Sequence, residues 1–170
     1  DIDPEMVELA KSTLTNHGIT AHVETADTLA QNHTMPQADL VIGNPPFVRP
    51  QNLPKKLRRD LWQRFFTATN KADLYACFVE RALSISKRVL FVLPENWLYL
   101  SSFHALREFS RRAGVNGIYQ LDSKAFPGVS VSCVVAVFGP EKQALCGELR
   151  AETESFHVTE TLRMAADAWS

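Results

Sequence analysis

The sequence is poor in cysteine and glycine, carries no surplus of either charge, and has no long apolar run. Its three cysteines in 170 residues, Cys77, Cys133 and Cys146, are widely spaced. They form no paired Cys or Cys/His spacing of the kind that holds zinc, and two lie in apolar runs, where a free thiol behaves as a small hydrophobe. The formal net charge of −1 gives the whole chain no global basic signal for nucleic acid. No run is long enough to span a membrane, and no signal-peptide pattern opens the chain. Reduced thiols and a cytoplasmic location are the expectation. None of the seven glycines forms a G-x-G turn after a strand near the N-terminus, and repeats and low-complexity segments are missing throughout.

What is present fits one globular domain or most of one, at 45% hydrophobic and 22% charged residues. The spacing of Val7, Ala10 and Leu14 predicts a helix from Pro4 to His17, with Gly18 as its stop. Short strands are predicted at Ile19 to Val23 and at residues 38–43, the latter buried, and a helix from Lys55 to Thr67. Asp73 to Ser86 is the clearest helix, with Asp73 as N-cap and Leu74, Phe78, Ala82 and Ile85 on one side. Val89 to Leu93 reads as a second buried strand, and Ser101 to Arg112 as an amphipathic helix stopped by Gly114. Gly117 to Leu121 and Val131 to Phe138 are strands whose connection is too short for a crossover helix, so they should pair antiparallel. The alternation of strands and helices implies an α/β sheet. In the tail from Pro140, Leu162, Ala165, Ala166 and Trp169 fit one or two amphipathic turns. Asp1-Ile2-Asp3-Pro4 has the form of a strand end running into a helix start, which points to a piece of a longer polypeptide.

The most informative residues are Asn44-Pro45-Pro46-Phe47, reached directly from the apolar run of residues 38–43. Two prolines forbid continuation of the strand, so an amide side chain and an aromatic ring project from its carboxyl end. Open α/β sheets bind their ligands there. The Asn44 side-chain oxygen and the Pro45 carbonyl are two acceptors able to hold both hydrogens of an exocyclic amine, while Phe47 stacks on the base. Such a loop suits methylation of a conjugated amino group. Asn-Pro after a strand is equally a turn initiator, and Pro-Pro a stiff loop. Arg49, Lys55, Lys56, Arg58, Arg59 and Arg64 follow closely, either as a solvated helix face or as contacts for DNA phosphates.

With these motifs in order, the chain resembles the γ-class adenine-N6 DNA methyltransferases of the Taq type, found in restriction-modification systems. The similarity runs from Asp1 to about Phe138. Asp1-Ile2-Asp3-Pro4 is similar to the acidic segment whose leading carboxylate binds the ribose of S-adenosylmethionine. Ala26-Asp27 is similar to the motif whose aspartate meets the cofactor adenine. Asn44-Pro45-Pro46-Phe47 matches the catalytic motif, with Phe47 where many members have tyrosine. Residues 73–83 and 91–98 resemble the helix and strand that follow. Ala125-Phe126-Pro127-Gly128-Val129-Ser130-Val131-Ser132 resembles the late loop whose phenylalanine stacks on the flipped base. The resemblance implies an incomplete Rossmann-like methyltransferase sheet with a C-terminal antiparallel strand pair. It assigns Asn44, Pro45, Pro46 and Phe47 to catalysis, Phe47 and Phe126 to base stacking, and Asp1, Asp27 and Asn44 to S-adenosylmethionine. Double-stranded DNA is the implied substrate, with Arg49, Lys55, Lys56, Arg58 and Arg59 on its phosphates and neither metal nor covalent intermediate required. Residues 1–139 correspond to part of the catalytic domain, and 140–170 to a tail leading toward a recognition domain. On the residues alone, Asp1 and Asp3 also suit helix capping, and Phe126 before Pro-Gly also suits a plug beneath a turn.

The family's Gly-rich cofactor loop and its large recognition domain have no counterpart in this sequence. The resemblance therefore implies a fragment inactive by itself, in which the ladder edge of residues 38–43 needs a new partner. The strand at residues 19–23, a second copy or a partner chain would supply it. Two other readings share the tetrapeptide: methylation of protein glutamine or RNA guanine amines, and a non-catalytic remnant or subunit that depends on a partner chain.

Overall fold

A computed structural model describes residues 1–69, 71–121 and 131–140, and the backbone of 145–152 and 155–163. The chain divides into two units, Asp1–Pro36 and Gln37–Ser170.

The first unit is built on α1, Pro4–Asn16, which starts as its sequence dictates. Asp3 is extended and its carboxylate accepts the Glu5 N–H at 2.9 Å, while proline occupies the first turn, where no N–H is missed. Val7 is buried. Residues 19–23 do not form the expected strand. Only Val23 among them is even partly buried, so the segment has no apolar face to bring a ladder together.

The second unit is a mixed sheet with strand order β1-β2-β4-β3-β5-β6. β1 (Val41–Gly43) pairs parallel with β2 (Val89–Pro94). β4 (Cys133–Phe138) lies antiparallel between β2 and β3 (Val115–Leu121), as expected for two strands joined by a short connection. β5 (Leu145–Glu152) adds parallel to β3, and β6 (Ser155–Arg163) closes antiparallel on β5. The amphipathic turns expected around Leu162 are therefore strand at that residue, while Ala165, Ala166 and Trp169 fall outside the described residues.

The sheet's core lies under α3 (Tyr75–Ile85) and α4 (His104–Ala113). Tyr75, Ala76, Val79 and Ala82 of α3 meet Val89, Phe91 and Leu93 of β2, with Trp97, Phe103, Leu106 and Phe138 completing the cluster. Full burial of each large apolar side chain contributes about 1.5–3 kcal/mol. Ser86 turns the chain from α3 into β2, its hydroxyl bonding to the Arg88 carbonyl and accepting the Arg88 N–H.

Several boundaries differ from expectation for tertiary reasons. α2 (Lys55–Arg64) ends before Thr67, because the Glu80 carboxylate accepts the N–H groups of Phe66 and Thr67 at 3.2 and 2.8 Å. Asp73 is not the N-cap of α3: Leu74 holds that position without a side-chain cap. Ser101–Phe103 is a 3-10 turn before α4, and Arg107 Nη1 holds the connection by bonding to the carbonyls of Trp97 and Leu100 at 2.7 and 2.8 Å. The stop at Gly114 requires glycine, since φ is +97° and an added Cβ would stand 1.9 Å from the Gly139 carbonyl oxygen.

The run at residues 38–43 is not a buried strand. Only Val41–Gly43 enters the ladder, at the edge of the sheet, with Ile42 67% and Leu40 50% exposed. Among the described residues nothing pairs with its outer side. The composition of the run fits a central strand, but a single ladder partner leaves alternate side chains open.

Candidate active site

β1 and β2 run parallel, with Gly43 opposite Phe91, so Asn44 and the turn after Pro94 both leave the sheet at its carboxyl edge. Gly43 is small for a local reason: a Cβ there would lie 3.0 Å from Phe91 Cε1. Asn44 follows it and is exposed; Pro45 is buried, Pro46 exposed, and Phe47 37% exposed. The buried proline anchors the loop while its neighbours face outward. Val48 N–H closes the loop on the Pro46 carbonyl at 3.1 Å, and the Val48 carbonyl accepts the Leu74 N–H at 2.8 Å.

The Phe47 ring meets the fully buried Tyr75 ring edge-on, with centroids 6.1 Å apart and planes at 78°. On its other side Tyr75 stacks on Phe103 at 5.2 Å and 17°. This aromatic stack leaves the exposed part of Phe47 available to a planar ligand. The Tyr75 hydroxyl donates to Asn96 Oδ1 at 2.7 Å. Burial, with the charges of Asp73 and Tyr99 in addition, pushes its pKa far above the ordinary phenol value, so it remains a donor. Burial also raises the half-buried Asp73 carboxyl, opposed by the Arg49 charge and a hydrogen bond with Asn96. The Cys77 thiol is pushed up to about 12, by burial first and the Glu80 charge second, which removes it as a nucleophile.

Beside Asn96, the Glu95 N–H donates to the Ser132 carbonyl at 2.8 Å, and Gln120 Nε2 reaches Glu95 Oε2 at 3.3 Å. The carboxyl ends of β2 and β3 and the amino end of β4 thus converge. Phe126, expected to stack on a base, lies outside the described residues.

In the first unit, Asp1 and Asp27 are exposed, and each carboxylate accepts one backbone N–H two residues on: Asp3 for Asp1 and Leu29 for Asp27, both at 2.9 Å. The Asp1 carbonyl accepts the Ala26 N–H at 2.8 Å, which draws the two segments together. Two carboxylates at adjacent turns suit the hydroxyl and amino donors of a nucleoside. Asp3, by contrast, caps α1.

Of the basic residues, Arg49, Lys55, Lys56 and Arg59 are exposed. The Arg58 guanidinium lies over the Trp62 ring at 5.4 Å, and Arg64 is held by Asp60, through Nε at 3.1 Å and Nη2 at 2.5 Å. The Arg64 hydrogen bond keeps the Asp60 carboxyl below its ordinary pKa. Tyr75 and Asn96 have no functional assignment in the sequence, and only the packing of α3 on β2 brings them together.

Comparison with known proteins adds the following. Residues 20–126 match the Eco57I restriction-modification methylase family. A type II methyltransferase of Thermus thermophilus, M.TthHB8I, is 30% identical over 129 residues, covering 69% of this chain and 30% of that protein. A Listeria monocytogenes structure assigned to the class I S-adenosylmethionine-dependent methyltransferases superposes with a TM-score of 0.70 at 18% identity, over 87% of this chain and 47% of that one. The M protein of the type I restriction enzyme EcoKI superposes with a TM-score of 0.66 at 19% identity, over 92% of this chain and 36% of that one. The α/β fold matches that of these two structures, and the chain spans about a third to a half of the length of the proteins it matches.

Proposed function

Because this chain belongs to the Eco57I restriction-modification methylase family, we propose that it carries the catalytic loop of a DNA adenine-N6 methyltransferase, with Asn44, Pro45, Pro46 and Phe47 as its working residues. The observation that supports this most directly is the loop itself: it leaves the carboxyl edge of the sheet, is anchored by buried Pro45, and presents Phe47 against Tyr75. The adenine amine is a weak nucleophile because its lone pair is delocalised into the ring. Asn44 Oδ1 and the Pro45 carbonyl accept its two hydrogens and turn the lone pair out of the ring plane. S-adenosylmethionine, when bound, supplies an electrophilic methyl group. By the family resemblance Asp1, Asp27 and Asn44 would hold it, the two carboxylates as acceptors for its ribose hydroxyls and adenine amine.

The target adenine lies inside double-stranded DNA and must be flipped out, at a cost of a few kcal/mol. Stacking on Phe47 and Phe126, worth about 1–3 kcal/mol per base, offsets this. Arg49, Lys55, Lys56, Arg58 and Arg59 serve the flanking phosphates. A second copy or a partner chain completes the sheet at β1.

Methyl transfer from labelled S-adenosylmethionine to duplex DNA, by the polypeptide that carries these residues, tests the reading. Asn44→Ala should lower turnover about 10²- to 10³-fold, the scale on which one preorganised polar contact acts in a transition state. Calorimetric affinity for S-adenosylmethionine should stay near that of the parent. Near-normal transfer by the variant would sink the catalytic assignment, and no cofactor binding by the parent would favour the non-catalytic subunit.

A further inference from the structure

We infer that Tyr75 and Asn96 form a positioning relay that fixes the plane of the Phe47 ring. The inference rests on the reading of Phe47 as the base-stacking residue and extends it to what holds that ring.

The segment 47–48 docks on the segment 74–75. The Phe47 ring meets the Tyr75 ring, and the Val48 carbonyl accepts the Leu74 N–H. Asn96 then holds the far end of Tyr75, its Oδ1 accepting the tyrosine hydroxyl at 2.7 Å. Each group has one role in this bond: the phenol donates and the amide oxygen accepts.

Packing alone does not explain a tyrosine here. The ring is fully buried between Phe47 and Phe103, where phenylalanine would fill the same volume. The hydroxyl adds a polar group that must be satisfied, and its satisfaction sets the rotation of the ring. An edge-on contact depends on that rotation, because the positive rim of one ring meets the negative face of the other. Asn96 itself is held by the turn after β2, its carbonyl accepting the Leu100 N–H at 3.0 Å. The relay thus refers Phe47 to the sheet rather than to its own loop. These are positioning residues, since they act through Phe47.

The test uses the chain labelled with ring-¹³C phenylalanine, the Phe47 signals being assigned by their loss in Phe47→Leu. Tyr75→Phe keeps the ring and its stack and removes only the hydroxyl; Asn96→Leu removes the acceptor. Each should shift the Phe47 ring signals while the amide spectrum remains that of the folded chain. Adenosine, titrated as a probe, should bind about 3- to 10-fold more weakly to Tyr75→Phe, the equivalent of one ordinary hydrogen bond. In a Phe47→Ala background the same substitution should change adenosine affinity no further.

Unmoved Phe47 signals in a folded Tyr75→Phe chain overturn the relay. So does an adenosine effect that adds to that of Phe47→Ala. If the Phe47 signals move but the parent chain does not bind adenosine, the relay stands and the base-stacking reading falls.

Discussion

Gly43 ends β1 immediately before Asn44, at a position with little room for a side chain. A Cβ at this position would meet Phe91 Cε1 at 3.0 Å, and Phe91 is itself buried in the core beneath. Gly43→Val must therefore either displace the Phe91 ring or push β1 away from β2. Overpacking of this kind costs about 1–3 kcal/mol. The three-residue strand is the softer partner, so the strand should move and carry Asn44 with it. We expect the variant to melt only a few degrees lower; on the proposed function, the polypeptide that carries these residues should lose methyl transfer to DNA out of proportion to that loss. A variant that is destabilised but as active as the parent would mean that the exit angle at Asn44 is set elsewhere.

At the scale of elements, helices α1, α3 and α4 follow from periodicity, and strands β2, β3 and β4 from short apolar runs bounded by turn residues. Their ends do not. The helical pattern of α2 runs on to Thr67, but Glu80 of α3 captures the N–H groups of Phe66 and Thr67, and the Thr67 hydroxyl bonds to the Ala76 carbonyl at 3.0 Å. No local pattern announces a carboxylate on the next helix. Hydrogen bonds to a charged acceptor contribute about 1.5–3 kcal/mol each when partly buried. Glu80→Ala should therefore lower the urea midpoint and sharply accelerate amide exchange at Phe66 and Thr67, whereas Glu80→Gln keeps one acceptor and should do less. Unchanged exchange at both amides would remove Glu80 as the cause of the early stop. β5 and β6 lie beyond the expected strands although an alternation is present, with Leu145, Leu149 and Ala151 in one strand and Phe156, Val158 and Leu162 in the other. At the site, the Asn-Pro-Pro-Phe loop is legible because its residues are contiguous. The Tyr75–Asn96 bond is not, because its partners stand 21 residues apart and meet only through tertiary packing.

For the whole molecule the decisive feature is the edge of the sheet at β1. The expectation that residues 19–23 would pair there is not met, since those residues form no strand. Among the described residues Val41–Gly43 has a ladder on its β2 side only, and Ile42 is 67% exposed beside a half-exposed Leu40. Open edges are usually blunted by charge, bulges or shortness. Here Pro45 and Pro46 end the strand after three residues, which limits how much a second strand can gain. The apolar side chains work in the opposite direction, since an unprotected apolar edge is a template for association. Apolar burial contributes about 25 cal/mol per Å², so covering Leu40 and Ile42 favours pairing, and we expect the 170-residue chain to self-associate. Light scattering across a dilution series should show a dimer that dissociates on dilution. Ile42→Lys should abolish it, placing a charge where the second strand would lie, while leaving the core under α3 and α4 intact. A chain that stays monomeric at every concentration, with Ile42→Lys indistinguishable from the parent, would show that the two prolines alone suffice to protect this edge.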